Sequence, residues 1–144
     1  MSYSSQVLRA RFTDGALSTA SGPRVVVMAY DRLDRDLAGA IAAIEVKDVP
    51  AAHDLLVHAQ DIVHELQCML DLDAWEHAAT LSAIYGYVGE LLTRSNVTKA
   101  AAPAIEARRL LAELGDAFRQ AATQVNQATV WSEGATERHV SVRA

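Results

Sequence analysis

Four stretches of this chain repeat apolar residues at steps of three and four, and no stretch alternates at period two over a useful length. That periodicity places one apolar stripe on each of four helices and leaves no strand to build a sheet. The first stripe follows Ser21-Gly22-Pro23, where Ser21 suits a cap and Pro23 a first helical turn. It runs through Val26, Tyr30, Leu33, Leu37, Ala40, Ile41 and Ile44 until Lys47-Asp48-Val49-Pro50 breaks it. The second carries Leu55, Ala59, Ile62, Val63, Leu66, Met69 and Leu70. Asp73-Ala74-Trp75-Glu76 has the spacing of a capping box and is expected to open the third, with Leu81, Ile84, Tyr85, Val88, Leu91 and Leu92. Residues 95–102 read as a turn, and Pro103 begins the fourth stripe of Ala107, Leu110, Leu111, Leu114, Phe118, Ala121, Ala122 and Val125.

Similar lengths and short connections make neighbouring helices antiparallel, so the expected fold is all-α, an up-down-up-down four-helix bundle. Seven glycines and three prolines in 144 residues leave long helices uninterrupted. The expected organisation is an N-terminal strap over 1–21, the bundle over 22–125, and a disordered tail over 126–144, where no apolar period continues.

Composition narrows function. A net charge of −5 disfavours nucleic acid and anionic membrane as main partners. No apolar run approaches the roughly 20 residues of a membrane span, and the N-terminus lacks the pattern of a secretory signal. With Cys68 the single cysteine, no internal disulfide forms, and a reducing cytosol is the expected compartment. Nine carboxylates and one cation, Lys47, between Glu45 and Glu90 make the middle of the chain acidic, as the solvated faces of two neighbouring helices would be.

Catalytic patterns are missing. A di-iron bundle needs a carboxylate-x-x-His step on two helices, and Asp61-Ile-Val-His64 supplies it once. His64 and Cys68 stand four apart, too few ligands for a structural zinc site; a partly buried histidine and a core cysteine are expected instead. His53 and His58 read as polar-face residues. No nucleophile elbow, phosphate loop or dinucleotide fingerprint occurs. The expectation is a non-enzyme without metal or cofactor. The third stripe holds two tyrosines and two glycines inside a helix, each glycine costing about 1 kcal/mol relative to alanine. Ala79, Ala83 and Gly86 share a face there. Either a bundle neighbour packs closely against it, or it floors a groove for an incoming helix with Tyr85 or Tyr87 as anchor; the residues alone leave both open.

Three segments in order resemble the flagellin-specific secretion chaperones of the FliS family. They are Phe12…Leu17-Ser-Thr-Ala-Ser21 with Val25-Val-Val-Met-Ala-Tyr30-Asp31, then Leu81-x-x-Ile84-Tyr85-x-Tyr87-Val88, then Leu110-Leu111-x-x-Leu114-x-x-x-Phe118. The likeness runs from about Phe12 to Ala121. It departs from the family pattern where Phe12 replaces a usual tyrosine, Gly22 a proline, and Phe118 a frequent tryptophan. The resemblance implies a cytosolic bundle that binds the disordered C-terminal region of flagellin, blocks premature polymerisation and assists delivery to the flagellar export gate. The partner surface implied comprises Phe12, Leu17, Val25, Met28, Tyr30, Leu81, Ile84, Tyr85, Tyr87 and Val88. Within it, Met28, Ile84, Tyr87 and Val88 are expected to line a client groove, with Phe12 and Leu17 covering apolar surface in the free protein. A monomer or weak dimer is expected. The alternatives are a metal-binding or catalytic bundle and a helical regulator of another flagellar protein.

Overall fold

The computed structural model describes the backbone of residues 22–74 and 76–143, and side chains within 24–74 and 76–124. Four helices make up the described chain: α1 (Gly22–Glu45), α2 (Val49–Cys68), α3 (Ala78–Thr98) and α4 (Ala101–Arg143). Each packs along its neighbours in the order α1, α2, α3, α4 and back to α1, while α1 and α3, and α2 and α4, stand on the diagonals. This is the expected antiparallel four-helix bundle. The expected Phe12, Leu17 and strap, and Trp75, lie outside the described residues.

The stripes become the core. Tyr30, Leu33, Leu37 and Ala40 of α1, Leu56, Ala59, Ile62, Val63 and Leu66 of α2, Leu81, Tyr85, Val88, Leu91 and Leu92 of α3, and Ala104, Ala107 and Leu111 of α4 are all buried. Each large aliphatic side chain so placed contributes about 1.5–3 kcal/mol relative to exposure. Ile41, Ile44, Leu55, Leu110, Leu114 and Phe118 pack on this cluster from its margins. Met69, at the end of its stripe, stays 38% exposed because α2 has already stopped at Cys68.

Both tight connections turn on a lysine in the left-handed region, Lys47 at φ 60° and Lys99 at φ 54°. After Lys47, Asp48 caps α2, its Oδ1 accepting the Ala51 N–H at 3.2 Å, and Pro50 occupies the first turn. The turn expected over 95–102 is shorter than the sequence suggested, since α3 continues through Thr98. Ser95 is fully buried and its hydroxyl donates to the Ala100 carbonyl at 2.5 Å, which closes the reversal within two residues. The capping box at Asp73 does not form. Asp71 Oδ1 takes the Asp73 N–H instead, the chain stays in turns, and α3 begins at Ala78 after an N-cap, His77, that makes no side-chain capping bond. The backbone of α4 is helical to Arg143, past residue 125 where the apolar period ends. Helix propensity does not require an apolar stripe, so the end of the period does not by itself end the helix.

Candidate partner-binding surface

Tyr30 and Tyr85, both expected on the partner surface, are 3% and 2% exposed and lie at the centre of the bundle. Their hydroxyls meet at 2.6 Å, joining the diagonal helices α1 and α3 through the core. The Tyr30 ring also packs on Phe118, centroids 5.4 Å apart and tilted by 32°. Burial pushes both phenols above the ordinary tyrosine range. Leu81 and Val88 are core residues as well. These four therefore leave the candidate surface: the family-like stripe on α3 is mainly the stripe that faces inward.

The remaining expected residues stay accessible but do not converge. Met28 is 55% exposed on α1, with Val25 part-buried near it in sequence, and Tyr87 is 42% exposed on α3. Because α1 and α3 are diagonal, Met28 and Tyr87 do not line one groove, which corrects the single groove expected from Met28, Ile84, Tyr87 and Val88. The Tyr87 hydroxyl donates to Glu106 Oε1 of α4 at 2.6 Å, and that carboxylate raises the phenol above its usual value. Ile84, part-buried, packs at the edge of the core.

Other exposed apolar residues were not expected on a partner surface. Met69 and Leu72 follow α2 at the end of the bundle where α1 begins, the end that holds Met28. Val46, Val49, Val97 and Ile105 surround the two lysine turns at the opposite end. Their sequence signal is weak, because an apolar residue off a stripe looks the same in a loop as in a patch.

A recess between α1 and α4 is lined by Tyr30, Asp34, Leu37, Arg108, Leu111, Ala112 and Arg119. Three ion pairs, made by two arginines, frame it. Arg108 grips Asp34 through Nε and Nη2 at 2.8 and 3.3 Å, and Arg119 reaches Asp31 at 2.5 Å and Asp116 at 2.8 Å. The Arg108 guanidinium holds the Asp34 carboxyl below its ordinary value. Gly115 lets the two helices approach, a Cβ there meeting Tyr30 and the Arg119 guanidinium at 3.4 Å.

A second, shallower groove runs along α3 beside α2, lined by Gln60, Gly86, Gly89, Glu90, Thr93, Arg94, Val97 and Thr98. A Cβ on Gly86 would meet only the Gln67 amide at 3.5 Å, and one on Gly89 would meet nothing within 4 Å. Close packing of a bundle neighbour is therefore not what these glycines serve.

Two expectations about polar side chains change. His64 and Cys68 are exposed, with Sγ and Nε2 3.5 Å apart, rather than partly buried and core. His58 is no free polar-face residue: its Nδ1 bonds Oδ2 of Asp36, a carboxylate only 2% exposed whose Oδ1 also holds Arg32 Nε at 3.2 Å. Asp36 sits between Leu33 and Leu37 on the apolar stripe, and that charge inside a stripe was the readable sign of a buried partner. No group of three or more histidine, cysteine, aspartate or glutamate side chains is placed to hold a metal among the described residues. No helix among them is long and apolar enough to cross a membrane.

The model of the family described as flagellar protein FliS matches residues 6–125. The flagellar secretion chaperone FliS of Bacillus subtilis (strain 168) is 26% identical over 110 residues, covering 76% of this chain and 82% of the relative. The match spans all four helices and the buried tyrosine pair, and the chain belongs to the FliS family of flagellar proteins, a non-catalytic family.

Proposed function

We propose that this protein is a cytosolic chaperone for flagellin, holding the subunit's disordered C-terminal region, preventing its premature polymerisation and assisting its export. The observation that carries the reading is the family match across the whole bundle. The distribution of exposed apolar side chains supports it. Met28, Met69 and Leu72 at one end, Tyr87 along α3, and Val46, Val49, Val97 and Ile105 at the other end surround a core that is complete without them. A single helix in one groove could not reach them all. An extended segment that becomes ordered as it wraps the bundle could, at an ordering cost that favours later release.

Calorimetric titration with a flagellin C-terminal peptide tests this on the full chain. Tyr87→Ala is expected to weaken binding about thirtyfold, near 2 kcal/mol, with little loss of denaturant stability, because the side chain faces out. No measurable binding of the peptide to the unmodified protein would reject the client. Unchanged affinity in the variant would remove Tyr87 from the contact.

A further inference from the structure

We propose that the α3 groove beside α2 is a self-association surface, and that its occupant is the same groove of a second copy of this chain. The groove carries both halves of a fit. Gly86 and Gly89 are open positions on its floor, and Val97, 78% exposed, projects from the same groove two turns further on. If two α3 helices cross antiparallel about a two-fold axis near Leu91, Val97 of one protomer lies over the partner's Gly86 and Thr93 over the partner's Gly89. Every such contact then occurs twice, as an isologous interface requires.

Charge points to the same occupant. Glu90 and Arg94 line the groove four residues apart, the order that favours an ion pair within one helix. Yet the two side chains do not pair with each other: both are exposed, and Arg94 accepts a hydrogen bond only through its carbonyl, from Thr98. Side chains four apart lie on one flank of the helix, and in the antiparallel arrangement that flank faces itself. Glu90 then meets the partner's Arg94 while Arg94 meets the partner's Glu90. A groove that offers a knob, a hole and both signs of charge at mirrored positions is complementary to itself. The interior glycines, unexplained by any packing within the chain, acquire a use: they let a second backbone come close.

One helix against one helix buries less than the roughly 1,200 Å² of a stable interface, so the dimer is weak, with a dissociation constant on the order of 100 µM. The surface borders Tyr87, which bonds α4 and whose phenol feels both Glu90 and Arg94. Self-association of the protein alone and titration with a flagellin peptide are separate readouts, so failure of this inference and failure of the chaperone reading are distinguishable.

Sedimentation equilibrium of the full chain between about 10 µM and about 1 mM reads the association directly. Glu90→Arg and Arg94→Glu each place like charges opposite one another and are expected to reduce the association constant at least about fivefold. An equimolar mixture of the two variants should regain it, since each then meets its opposite, and so should the double exchange E90R/R94E. Gly89→Leu, which has open space in the monomer, should abolish association without lowering stability. A wild-type chain that stays monomeric throughout the range overturns the proposal, as does association that both charge variants and Gly89→Leu leave unchanged. A groove reserved for the flagellin peptide would show as variants that lose peptide affinity while the wild-type protein does not self-associate, and that result also overturns it.

Discussion

The hydrogen bond between Tyr30 and Tyr85 places two phenols in a core otherwise filled by aliphatic side chains. Each hydroxyl is the other's partner, so removing one strands the second. Tyr30→Phe or Tyr85→Phe alone should cost about 1–3 kcal/mol, while the double replacement should be markedly less harmful than the sum. Denaturant unfolding of the three variants measures this coupling. The same pair sets an alkaline limit. Both folded-state phenols are raised, so the unfolded chain loses these protons first. Stability is then complete below the usual tyrosine value near 10 and falls as pH rises beyond it, by up to about 1.4 kcal/mol per pH unit per tyrosine. In the Tyr30→Phe variant the slope above pH 10 should be shallower. The sequence showed both tyrosines but not this role. Their spacing put them on inward stripes, whereas resemblance to a binding family drew them outward, and the physical period was the better guide.

Among the helices, the glycines differ in what surrounds them. A Cβ at Gly89 meets open space, so Gly89→Ala should raise stability by about 0.5–1 kcal/mol through helix propensity. At Gly39 the same Cβ would stand 3.0 Å from Leu55 Cδ1 at the α1–α2 contact, so Gly39→Ala should give a smaller gain or a loss. Thermal melts of the two variants should therefore differ in midpoint, with Gly89→Ala the higher. The four stripes and the Lys47–Pro50 break were legible because periodicity and proline act locally. The start of α3 was not, because Asp71 competes with Asp73 for the backbone of that turn. Nor was the end of α3, where buried Ser95 holds a reversal that depends on the tertiary position of Ala100.

On the scale of the whole molecule, the antiparallel ring was readable from stripe lengths and connections, but the partner surface was not, since outward apolar residues have no period to betray them. Met28 on α1 and Tyr87 on α3 show the difficulty: both stand off their stripes, and only the ring order reveals that their helices are diagonal rather than adjacent. Ala122 is the last buried side chain of α4 among the described residues, and the apolar period ends at residue 125, so a chain ending there should keep its unfolding free energy within about 0.5 kcal/mol of the full chain. Chemical denaturation of the truncated protein checks this, and a larger loss would mean that 126–144 packs on the bundle.

The ring closes where α1 meets α4, and the residues that meet there are far apart along the chain: Asp34 with Arg108, Asp31 with Arg119. The α1–α2 and α2–α3 hairpins form over short loops, whereas closing this seam means bringing together residues more than 70 positions distant. Docking of α4 on α1 should therefore follow the transition state for folding. Substitutions along the seam, such as Leu111→Ala, are expected to hasten unfolding and leave the refolding rate nearly unchanged, with φ values close to zero, whereas Leu56→Ala between the early hairpins should slow refolding. Stopped-flow chevrons of the two variants would distinguish the two limbs, and the lifetime of the closed ring would then be set by the last helix to arrive.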